Sequence, residues 1–312
     1  MRKFLIESFI FSVLVIVTIT FFILKINHKI RDGRFFELPK HSSMIVLGNS
    51  HPECALNDAF ISDFSNCAQS SEAYFYNHLK LRQLIDQNKQ LKTVFIEFSN
   101  SQITKKIDNY VFGDEYLNWR FCRFNPMMKA EDYQFLLKHN PWKILQVQNI
   151  ALRENTEYLK KDLVYYISGR SLGGYLQLNY KQVDSSLKEK TNLINLKKII
   201  NIESDKNLFY LRQCINLCRQ HNIKVYLIRC PQYPLFEDWS NEKLFQKKRI
   251  GNFKDIEFLD FGKLKLKKAE YGDLSHLNVD GAKHFSVFFD SLIKSNFLHK
   301  RNKQSIIDAS WN

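Results

Sequence analysis

The sequence predicts an α/β domain on a parallel sheet, with helices on both faces, carried behind one N-terminal membrane-spanning helix. Short β-rich runs alternate with stretches of helical period, the pattern of strands joined by crossover helices. An apolar run opens the chain. Hydrophobic residues make up 45% of the 312, enough to build a sizeable core without disulfides or a metal.

The opening run, Phe4 to Leu24, reads FLIESFIFSVLVIVTITFFIL, with Glu7 as its one charge. As a helix it is long enough to cross a hydrocarbon core of about 30 Å. Lys25, Lys29, Arg31 and Arg34 follow it in place of a small-residue cleavage site, so the segment reads as a retained anchor rather than a signal peptide. We assign residues 1–25 to the anchor and 26–40 to a polar linker. The flank after the run carries more positive charge than Arg2 and Lys3 before it, and that count alone would place the large domain inside.

The sheet domain is expected over residues 41–298. Ser43 to Leu47 (SMIVL) is a buried-strand run stopped by Gly48, and Pro52 is suited to the first turn of a helix reaching Ile61. A short strand is expected near Phe64 to Ala68, a helix over Tyr74 to Leu91 and a strand at Thr93 to Phe98. A helix over Leu208 to Gln220 then leads into the strand KVYLIR at 224–229. IEFLDF at 256–261 is the last strand. Val279 to Phe297 is the closing helix, with Val279, Ala282, Phe285, Phe288, Phe289 and Leu292 on one stripe. Residues 103–200 interrupt the alternation with an aromatic, mostly helical stretch broken at Gly173 and Gly174, read as an insertion over the site. Residues 299–312 read as a polar tail that frays.

The 46 basic against 32 acidic residues give a net charge of +14. An anionic membrane surface or an acidic glycan would suit this excess. No zinc-finger spacing, RNP-like pattern or basic helix speaks for nucleic acid. None of the six cysteines stands in a C-x-x-C pair, so a zinc ribbon or thioredoxin-type centre is not suggested. Cys54 and Cys67 lie on neighbouring segments and could pair. With no metal cluster and no nucleotide-binding glycine loop, no cofactor is expected.

Chemistry-bearing residues fall at strand ends, where parallel sheets bind ligands. IVLGNSHPE at 45–53 places Ser50 between a strand end and a helix start, its hydroxyl exposed and its N–H aimed at a bound anion. FIEFSNSQI at 95–103 puts Asn100 just past a strand, where an amide could donate to an oxyanion. YGDLSHLNVDGAKHF at 271–285 sets Asp273 three residues before His276, so a carboxylate can hold an imidazole in one tautomer. Singly, these are an ordinary turn, a turn cap and a surface histidine beside a helix cap at Asn278. In this order on an alternating sheet they supply the parts of an acyl-transfer site. No role for His51 follows from the sequence.

The set resembles the SGNH, or GDSL-like, hydrolase superfamily over about residues 43–297, outside most of the 103–200 stretch. The resemblance implies a flavodoxin-like three-layer fold with Ser50 as nucleophile, His276 as general base and Asp273 orienting it. It also implies an oxyanion hole of the Ser50 amide, Asn100 and a third donor. The third is usually a glycine amide after the second strand; in NCAQSSEAYF at 66–75, Ser71 stands in that place. Superfamily members include esterases, lipases, deacetylases and acyltransferases. A single-pass domain of this kind resembles bacterial enzymes that add or remove acetyl groups on exported polysaccharides, so the expected substrate is an acylated glycan. That implies an extracytoplasmic domain, against the flanking-charge count. Two rival readings stand beside it. One is a catalytically idle glycan-binding or scaffolding protein, for which the serine at 71 speaks. The other is a lipid or thioester hydrolase whose acyl groove is lined by Trp119, Phe121, Phe124 and Trp142, unless those residues form a core of their own.

Overall fold

The computed structural model describes residues 1–33, 35–160, 172–193, 203–236 and 241–310. The chain divides into two compact units, one of Met1–Phe35 with Phe112–Ser171 and one of Phe36–Val111 with Leu172–Asn312.

The larger unit holds the expected sheet. Its strands are β1 (Met44–Leu47), β2 (Phe64–Asn66), β3 (Thr93–Glu97), β4 (Lys224–Arg229) and β5 (Glu257–Asp260). All neighbours pair in parallel, in the order β2-β1-β3-β4-β5. Register follows from the period-2 alternation of side chains. Val46 lies beside Phe95, and Phe95 beside Tyr226. These residues, with Ile228 and Leu259, build one face of the core against Phe285 and Phe289 of the Val279–Lys294 helix. The Phe95 ring stacks on Tyr226 at 5.5 Å and meets Phe289 edge-on at 5.4 Å. Ile45, Leu47, Val94, Ile96 and Leu227 alternate with them and are buried on the opposite face. On that side the Asp205–Gln220 helix packs on β4 and on helix α3 (Tyr74–Gln87). Strand order reverses between β1 and β3, and such a switch point opens a crevice at the carboxyl ends of the strands.

The helices expected to reach Leu91 and Phe297 end at Gln87 and Lys294, and two further differences have a clear physical cause. The helix expected at 52–61 is helix α2 (Ser50–Ala55) followed by a separate turn, Asp58–Phe60. It starts earlier because the Asn49 side chain accepts the His51 N–H. It stops earlier because Asn66 donates to the carbonyls of Pro52 and Leu56, satisfying groups that a longer helix would have used. The tail expected to fray carries a helix at Lys303–Ser310. Ile307 is fully buried in the core, and Gln304 donates to the Asp260 carbonyl at 2.9 Å.

The smaller unit is helical. Its N-terminal helix α1 (Arg2–Asp32) is long and apolar enough to cross a membrane by length and composition. It runs past the boundary expected at 25, so residues 26–32 are helix and not linker. There Asn27 and Ile30 are buried, and Asn27 donates to the Asn125 side chain at 3.3 Å. Helices follow at Asp114–Phe124, Ala130–His139 and Pro141–Lys160. Phe121 and Phe124 are fully buried in this unit, while Trp142 is exposed. Trp119 carries the Arg120 and Arg123 guanidinium groups at 4.3 and 4.8 Å from its ring. Two of the four aromatics considered for an acyl groove are therefore core. Of the stretch expected as an insertion into the sheet domain, Phe112–Ser171 groups with the N-terminal helix and the rest with the sheet. Within that stretch, residues 161–171 and 194–200 lie outside the described residues.

Candidate active site

Ser50 stands at the carboxyl end of β1, beside the switch point. Gly48 and Asn49 make the turn into α2, and Ser50 is the first helical residue. Glycine is required at 48: φ is +156°, and a Cβ there would lie 2.5 Å from the Glu97 Cβ. The loop before the Val279–Lys294 helix brings Asp273 and His276 to the same place. Asn278 caps that helix, its side chain accepting the N–H groups of Asp280 and Gly281 at 3.1 Å.

The three side chains form a continuous chain of hydrogen bonds. His276 Nε2 is 2.7 Å from Ser50 Oγ, and His276 Nδ1 is 3.0 and 2.9 Å from the two Asp273 oxygens. Asp273 also accepts the backbone N–H groups of Ser275 and His276, the Ser275 hydroxyl and, at 3.3 Å, the Tyr180 hydroxyl. Burial pushes the Asp273 carboxyl up. The His276 hydrogen bond and charge, with the Ser275 donors, outweigh it and hold the group well below the usual carboxylate range. Asp273 is thus an anion that orients the imidazole with Nε2 toward the serine.

Ser71 has φ +58°, the left-handed conformation that favours glycine. The backbone geometry expected of a glycine is thus present at position 71 with a serine in it. Among the described residues, the N–H groups of Ser50 and Ser71 have no hydrogen-bond acceptor. The Ser71 loop is tied to α2 through Glu53, which accepts the Ser70 N–H at 2.7 Å and the Ser70 hydroxyl. Burial raises the Glu53 carboxyl, and the Ser70 bonds only partly offset it. Lys80, fully buried on α3, holds the same loop by donating to the Cys67 carbonyl and the Glu72 carboxylate, both at 2.8 Å.

Asn100 is not brought to Ser50 as an amide donor. Its side-chain N–H groups go to Asn241 at 3.0 Å and Glu242 at 2.9 Å, and its oxygen accepts from Arg229 at 2.8 Å. The physical reason is Arg229, a fully buried guanidinium at the end of β4 that gathers Asp260, Glu242 and Asn100 around itself. The oxyanion role expected of the Asn100 side chain is therefore withdrawn.

Three features went unread in the sequence. His51 is buried, with Nδ1 at 2.8 Å from Glu97, and its ring centroid lies 5.6 Å from that of His276. Glu97, taken only as a strand residue, is wholly buried beneath the turn that carries Ser50. Residues 174–182 form an extended strap tied to the parts of the site. Gly174 donates to Ala68, Leu176 to Glu53 and Gln182 to Gly272, while Leu178 accepts from Val279. Leu176 and Tyr180 on the strap are exposed. All six cysteines are free and buried, Cys54 and Cys67 included. Burial raises the Cys54 thiol far above its ordinary value and the Cys67 thiol to about 12, so neither is a nucleophile near neutral pH.

The model of one uncharacterised protein family matches residues 72–298. The chain belongs to that family. The match spans β3, β4, β5 and the Asp273–His276 loop and begins after Ser50. No curated protein matches the chain.

Proposed function

We propose that the chain is a membrane-anchored serine esterase or acyltransferase of SGNH type. The single observation that carries the reading is the unbroken line from Ser50 Oγ through His276 to Asp273, at 2.7 and 2.9 Å. A flavodoxin-like strand order with the serine at the switch point supports it. In this reading His276 Nε2 takes the Ser50 proton as Oγ attacks an ester carbonyl. Asp273 stabilises the imidazolium, and the N–H groups of Ser50 and Ser71 receive the oxyanion. His276 then returns the proton to the leaving alcohol. Water or a sugar hydroxyl, deprotonated by the same nitrogen, releases the acyl group from Ser50.

The substrate we propose is an acetylated cell-surface polysaccharide, with the domain held outside the membrane by α1. The exposed Leu176 and Tyr180 of the strap, with Tyr180 bonded to Asp273, suit a sugar ring lying beside the triad. The net charge of +14 suits an acidic glycan. The serine at 71, which spoke for the rival idle reading, holds the left-handed φ that a glycine would hold there, and this supports the catalytic reading. Phe121 and Phe124, buried in their own unit, give no support to a long-chain acyl groove.

The test is labelling of the full-length protein in detergent with a fluorophosphonate, beside Ser50→Ala. Label on wild type alone, with acetyl esters cleaved in preference to longer chains, is the expected result. A well-folded wild type that takes no label would overturn the catalytic reading.

A further inference from the structure

Glu97 ends β3, and its carboxylate is buried with no contact with solvent. Burying a carboxylate is unfavourable unless its lone pairs are met by donors. The donors here are specific. Oε2 accepts the Asn49 N–H at 2.7 Å. Oε1 takes His51 Nδ1 at 2.8 Å and the Ser99 hydroxyl at 2.9 Å. Asn49 and His51 are the two chain neighbours of Ser50. One carboxylate therefore grips the nucleophile turn immediately before and immediately after the serine.

We propose that Glu97 is the positioning residue of the nucleophile, acting through Asn49 and His51 to hold Ser50 Oγ at His276. The inference rests on the reading of Ser50 as the nucleophile.

Three further observations carry it. The grip is close: a Cβ on Gly48 would lie 2.7 Å from Glu97 Oε2, so a side chain at 48 would drive the turn off the carboxylate. The grip is also rigid. Leu47 is registered beside Ile96, and the Tyr74 hydroxyl donates to the Glu97 carbonyl at 2.6 Å, so Glu97 is fixed by a central strand rather than a loop. Finally, the held imidazole reaches the other half of the site. His51 packs beside His276, with Phe236 edge-on at 6.1 Å and Gln232 Nε2 at 3.1 Å from its Nδ1. Glu97 thus braces both sides of the 2.7 Å contact between Ser50 and His276. An aliphatic side chain could fill the space, but it could not hold an N–H and an imidazole at once.

The experiment compares full-length wild type in detergent with Glu97→Gln, His51→Leu and His51→Asn. It measures the fluorophosphonate labelling rate per folded molecule, and kcat and KM on p-nitrophenyl acetate. A thermal melt gives the folded fraction. Glu97→Gln and His51→Leu are expected to slow labelling and kcat by up to about 100-fold, the cost of misplacing a reacting group by about 1 Å, with KM little changed. His51→Asn, whose amide N–H can stand where Nδ1 stood, should recover most of the rate. Labelling at the wild-type rate in Glu97→Gln, even with a lowered melting temperature, would overturn the proposal and leave Glu97 structural. His51→Asn as slow as His51→Leu would also overturn it, because His51 would then be moving a proton. A wild type that never labels would remove the nucleophile and this role with it, a result separate from labelled wild type with indifferent variants.

Discussion

Two imidazole–carboxylate pairs meet around Ser50, and they differ in everything but their chemistry. Asp273 and His276 stand three residues apart on one loop, with side chains 22% and 20% exposed. Glu97 and His51 come from separate elements and are 0% and 6% exposed. In the first pair, the nitrogen opposite the carboxylate faces the serine hydroxyl. In the second, the carboxylate shares itself with the backbone of the nucleophile turn. Exposure separates the roles. A pair that must pass a proton to a substrate needs an open side, whereas a pair that fixes geometry works best with every lone pair engaged and water kept out.

The comparison can be broken from the open side first. His276→Ala should reduce labelling of Ser50 by on the order of 10⁴-fold or more, since it removes the imidazole nitrogen that stands at Oγ. A stopped assay with a fluorophosphonate measures this. Asp273→Asn should cost somewhat less, roughly 10³- to 10⁴-fold, because the imidazole keeps its place and loses its tautomer.

From the buried side the effect falls on stability. Glu97→Ala strands the Asn49 N–H and the His51 ring without solvent, and should cost about 1–3 kcal/mol in urea unfolding. Asp273→Ala should cost less, since water reaches its donors. Equal losses would erase the distinction drawn between the pairs.

Acid titration sharpens the contrast further. The folded state holds the Asp273 carboxyl below its ordinary value of 3.8. In acid the unfolded chain therefore binds more protons, and stability falls with pH. The stability difference between wild type and Asp273→Asn should stay constant above about pH 4 and shrink below it. Tyr180→Phe is expected to do least: one 3.3 Å bond among several to Asp273 is lost, so labelling should change less than about fivefold.

Most of the sheet was legible because β1, β3 and β4 are short runs rich in β-branched, aliphatic and aromatic residues, with Gly48 directly after β1 and Pro231 shortly after β4. The hydrogen-bonded chain of Ser50, His276 and Asp273 was legible because its members lie in two short motifs whose spacing is local. Glu97 and His51 are separated by 46 residues, and nothing near either announces the other. One signal was available: an acid closing the apolar run TVFIE at a switch point is a buried charge that must have partners. Asn100 misled for a related reason. Its position after β3 was as expected, but Arg229, 129 residues away, claims the side chain. The tail helix was hidden because Ile307 gains its burial from a core no local pattern reveals.

The central claim is that Ser50 carries the acyl group. Its most direct test is mass spectrometry of the full-length protein quenched in acid during turnover of p-nitrophenyl acetate, with the modified peptide sequenced. The account predicts one acetyl group on Ser50, absent from Ser50→Ala and accumulating when His276 is replaced only as far as uncatalysed acylation allows. Turnover that persists in Ser50→Ala, or an acetyl group found only on another residue, would contradict it.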